Sequence, residues 1–118
     1  MGINLMIYIK KEHLPRLIDN FEDFMFLVDK GMWRWYLFQQ HLGIKSERVT
    51  AKELLSAIAS TNRRIKDRET WARLCESYDL IFQPEGREAP EGYVEVYDVY
   101  LKIIEFVKHN MEQIIGGG

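Results

Sequence analysis

The sequence predicts a mainly α fold: a compact bundle of four to six helices, with room for one short strand at the N-terminus. Three observations lead there. Apolar residues recur at spacings of three and four along most of the chain. Helix-start signatures stand in front of several of these stripes. The segments that could instead be strands are residues 3–9 and 93–99. At 118 residues and 47% hydrophobic, the chain can bury one core without cross-links. Residues 1–115 are therefore read as one helical domain, and Gly116-Gly117-Gly118 as a disordered tail.

The elements follow in order. Residues 3–9 are apolar but too short for periodicity to choose between a strand and a helix start. Pro15 suits a first helical turn, where its missing N–H costs nothing. Leu14, Leu17, Ile18, Phe21, Phe24, Met25 and Val28 continue as one helical stripe, with Gly31 as its stop. Met32 to Leu42 forms an aromatic segment ending at Gly43. Its bulk (Trp33, Trp35, Tyr36, Phe38) fits a helix buried on several sides, and a ring or two could also anchor an interface. Thr50-Ala51-Lys52-Glu53 is a capping box, so a helix spans about 51 to 61, with Leu54, Leu55 and Ile58 on its apolar face. Asp67 caps the next helix, which places Trp71, Leu74, Cys75 and Tyr78 on one side. The last helix runs from about 93 to 114, burying Val96, Tyr100, Ile103, Ile104, Val107, Met111 and Ile114. Its opening, 93–99, also reads as a strand, and both possibilities stand.

Charge is segregated along this frame. Residues 43–74 hold eight basic and four acidic side chains, a balance of +4. Residues 76–112 hold three basic and nine acidic, a balance of −6. Patches of this kind steer encounters between partners. The overall charge of −2 gives no general affinity for nucleic acid or anionic membrane, and no apolar run reaches the roughly 20 residues that cross a bilayer. One cysteine excludes a disulfide framework, and a cytoplasmic protein is the expectation.

Catalytic chemistry finds little support. His13, His41 and His109 have no metal-ligand spacing with each other or with Cys75, so no metal and no cofactor is expected. Cys75 sits on the apolar side of its helix as a structural thiol. Gly86 and Gly92 lie among glutamates, which repel phosphate. Glu85, Glu88 and Glu91 lack apolar sequence neighbours that would raise a carboxyl pKa for acid–base work. The basic run Arg63, Arg64, Lys66, Arg68 and Arg73 offers a nucleic-acid reading, with these side chains on phosphates. The acidic whole argues against it.

The stretch Asp79-Leu80-Ile81-Phe82 with Pro84, then Glu85-Gly86-Arg87-Glu88, then Pro90-Glu91-Gly92 with Val94 resembles a corner of the colicin and pyocin DNase immunity proteins. Thr50-Ala51-Lys52-Glu53-Leu54-Leu55 is similar to the opening of that family's first helix. The family's tyrosine pair is Phe82-Gln83 here. The resemblance implies a small acidic four-helix bundle that binds a nuclease toxin and blocks it without chemistry. The functional expectation is thus a non-enzymatic inhibitor, of the immunity or phage anti-defence kind, binding a nuclease or another nucleic-acid-binding effector. Its surface would comprise Asp79, Phe82, Gln83, Glu85, Glu88 and Glu91, flanked by Tyr78 and Tyr93. A homo-oligomer or scaffold subunit is a further possibility, raised by the aromatic content alone.

Overall fold

A computed structural model of the protein describes residues 4–30, 33–34, 49–50 and 68–116. Asn4–Lys10 forms β1, the strand around which the fold is built. Its five inner residues are all buried, so both of its faces are covered and no polar alternation marks it in the sequence. β1 pairs with β4 (Ile81–Pro84) along one edge, with Leu5 opposite Pro84 and Tyr8 opposite Ile81. The other edge is shared end to end by β2 (Trp33–Arg34), opposite Asn4 and Leu5, and β5 (Tyr93–Glu95), opposite Tyr8 to Lys10. β3 (Val49–Thr50) extends the sheet beyond β4. Every pairing is antiparallel.

The mainly α bundle of four to six helices is therefore overturned: an antiparallel sheet is a substantial part of the fold. The short N-terminal strand is present, but as the sheet's centre. The reason is one of length. The strands run from two to seven residues, too short for periodicity to single them out, and only two residues separate β4 from the helix before it. Residues 81–95 run as strand, connection and strand.

Four α-helices are described. After one 3-10 turn at Lys11–His13, α1 covers Leu14–Asp19 and α2 covers Phe21–Lys30. The single helix expected over this stretch is broken at Asn20, whose φ of −99° and ψ of 79° leave the helical region. The Asn20 amide donates to the Arg16 and Leu17 carbonyls and its own carbonyl accepts from Phe24, so one residue ends the first helix and starts the second. α3 spans Arg68–Tyr78 and α4 spans Val96–Gly116. The last helix thus begins three residues later than its first apolar residue suggested, the strand having taken Tyr93–Glu95.

The core lies between the helices and the face of β1 that carries Leu5, Ile7 and Ile9. Phe24, Trp71, Leu74, Leu80, Phe82 and Val96 close it, all almost fully buried. Each such side chain contributes about 1.5–3 kcal/mol through removal from water. Two polar clasps position the helices. Asp23 of α2 accepts both hydrogen bonds of the Arg73 guanidinium from α3, at 3.0 and 2.7 Å, beside an edge-on Phe26–Trp71 ring pair. Arg16 of α1 donates to the Ser77 carbonyl at the end of α3 and lies 4.3 Å above the Tyr78 ring.

The aromatic residues Trp35, Tyr36 and Phe38, the helix expected over 51–61, the candidates Arg63, Arg64 and Lys66, and Gly117-Gly118 all lie outside the described residues.

Candidate partner-binding surface

β4 leaves the sheet beside Asn4 and β5 re-enters it beside Lys10. Both strands are antiparallel to β1 and so parallel to each other, with β1 between them. Residues 85–92 must therefore travel back along β1, and they do so over its second face, the one carrying Met6 and Tyr8. This crossover is tied at both ends. Glu85 N donates to the Asn4 carbonyl at 2.8 Å, and Lys11 N donates to the Gly92 carbonyl at 2.9 Å. Turns at Gly86 (φ 92°) and Gly92 (φ 83°) use a backbone conformation that side-chain-bearing residues rarely adopt.

Two buried side chains brace the crossover from beneath. The Tyr8 hydroxyl donates to the Arg87 carbonyl at 3.3 Å, and Gln83 Nε2 donates to the Glu88 carbonyl at 3.0 Å. Burial pushes the Tyr8 phenol pKa up, the Glu95 carboxylate adds to this, and a hydrogen bond from Gln83 partly offsets it. Without such partners, crossover carbonyls facing a covered sheet would carry a desolvation cost of about 1–3 kcal/mol each.

The predicted surface residues separate into two groups. Glu85, Glu88 and Glu91 are exposed along the crossover, and Tyr93 is half-buried at its end. The Glu85 carboxylate also accepts a long bond, 3.4 Å, from the Asn4 amide. Asp79 is exposed too, but on the α3–β4 corner, where φ is +49° and His13 Nε2 lies 3.8 Å from its carboxylate. Phe82 is 0% exposed on the core face, Tyr78 is buried beneath Arg16, and Gln83 is an internal strut. Two of the three anticipated aromatic anchors, Phe82 and Tyr78, are thus inside the protein.

Glu95 stands outside the predicted surface set, and sequence alone assigned it no role beyond negative charge around the corner. It is half-buried on β5, and its carboxyl pKa is raised by desolvation first, then by the charges of Asp98 and Glu85. Its signal was available, since a glutamate opposite Tyr8 shares the covered face, but only once the register was known. The outer half of α4 also differs from expectation. Val107 and Met111, read as buried, are 46% and 54% exposed, as are Phe106 and Leu101 to a similar or greater degree. The body of the domain covers only the first part of that stripe, through Tyr100 and Ile103.

Among the basic candidates, Arg68 opens α3, and Arg73 is committed to Asp23. Cys75 is buried, and desolvation pushes its thiol pKa up to about 12, which removes the thiolate needed for nucleophilic work. Among the described residues no three His, Cys, Asp or Glu side chains are grouped to hold a metal ion. A shallow recess of about 310 Å³ lies between Lys10, Glu12, Glu91, Gly92 and Tyr93, too open to enclose a small molecule. No helix among the described residues is long and apolar enough to cross a membrane. Compared with known proteins, the chain matches no family model, no curated sequence and no solved structure.

Proposed function

We propose that this chain is a non-enzymatic binding protein of the cytoplasm that inhibits a partner protein by laying its acidic crossover over a cationic surface. A nuclease is the partner class that fits best, because its phosphate-binding cleft is basic and a row of carboxylates substitutes for the backbone it normally holds. Immunity to a toxin and phage anti-defence are both roles of this kind. One observation carries the reading. Glu85, Glu88 and Glu91 are exposed on a backbone that is tied at both ends and braced from below by Tyr8 and Gln83. None of the three makes an ion pair with a described residue. The carboxylates are thereby presented in a fixed array, which lowers the ordering cost of binding.

The test is a comparison between the natural chain and a triple charge reversal, Glu85→Lys with Glu88→Lys and Glu91→Lys. A partner captured by the natural chain should be lost by the variant, its capture should weaken steeply with salt, and its nuclease activity should be inhibited only by the natural chain. Undiminished capture by a folded variant removes the crossover as the binding surface. The nucleic-acid reading gains no comparable support, because Arg73 is held by Asp23.

A further inference from the structure

We draw no further inference here: the strongest candidate, the exposed apolar stripe on the outer half of α4 around Phe106, Val107 and Met111, carries nothing because no feature of the structure shows what covers it.

Discussion

Replacing Arg73 with alanine separates a structural role for this arginine from a role in binding nucleic acid. Its guanidinium makes two hydrogen bonds to one carboxylate, at 3.0 and 2.7 Å, and these bonds push its pKa further up. The two ends of the clasp differ sharply in exposure: the Arg73 side chain is 53% exposed and the Asp23 side chain 7%. Arg73→Ala therefore strands a nearly buried carboxylate without its counter-charge, which costs about 2–3 kcal/mol. Asp23→Asn leaves a guanidinium that can turn to water, and costs only about 1 kcal/mol. For a chain of this size the arginine variant should melt roughly 10 °C lower. Urea titrations of both single variants and the double variant give the two costs and their coupling. The reasoning fails if Arg73→Ala is neutral within about 0.5 kcal/mol, or if Asp23→Asn is the more damaging change. A neutral Arg73→Ala that abolished binding to duplex DNA would restore the phosphate-contact reading.

Four other outcomes follow from the geometry. Glu95 has a raised carboxyl pKa in the folded chain, so the folded state keeps this proton at a pH where the unfolded chain has lost it. Ionised Glu95 thus costs stability at neutral pH, and the cost disappears as pH falls through the raised value towards 4.5. Glu95→Gln should accordingly raise the denaturation midpoint at pH 7 and lose that advantage in acid; a less stable variant at pH 7 contradicts the assignment. Tyr8→Phe removes the brace to the Arg87 carbonyl and should cost about 1 kcal/mol, with amide exchange quickening across 85–92 ahead of the helices. Asp79→Gly relieves a left-handed residue just past the end of α3 and should stabilise by about 0.5–1 kcal/mol, read from a chemical denaturation midpoint. Cys75, with a pKa of about 12, should react with a disulfide reagent only as fast as the protein opens, so labelling should accelerate in step with denaturant.

The helical part of the fold was legible where a stripe was long enough to repeat. Phe24 and Val28, then Trp71, Leu74, Cys75 and Tyr78, then Val96, Tyr100 and Ile103 lie on helices and face the core as their spacing implies. The sheet was not legible, for two physical reasons. β1 is covered on both faces, so Leu5 to Ile9 shows neither alternation nor a helical period. β4 starts three residues after α3 ends, where Asp79 turns the chain at positive φ, and its four residues are too few to show a period of their own. The candidate surface was legible in charge but not in direction. Three of its glutamates are polar residues in a loop with proline and glycine, which places them outside by composition alone. Phe82 and Gln83 needed the pairing register, because adjacent strand residues point to opposite faces. The exposed stripe of α4 shows the opposite failure: the period was right, but a helix of 21 residues outruns the body that covers it.

The crossover also has a consequence in time. The bonds that hold it join Asn4 to Glu85 and Tyr8 to Arg87, pairs separated by 81 and 79 residues. β1 is thus made well before two of its neighbours, β4 and β5, which come from one segment about 80 residues further along the chain. At ordinary synthesis rates of about 5–20 residues per second, that wait is roughly 4–16 s. Throughout it, the β4 edge of this apolar strand and the β5 half of its other edge are open to any other chain. Non-local closure of this kind slows folding, so the arrival of β4 and β5, rather than the helices made before them, closes the edges of β1.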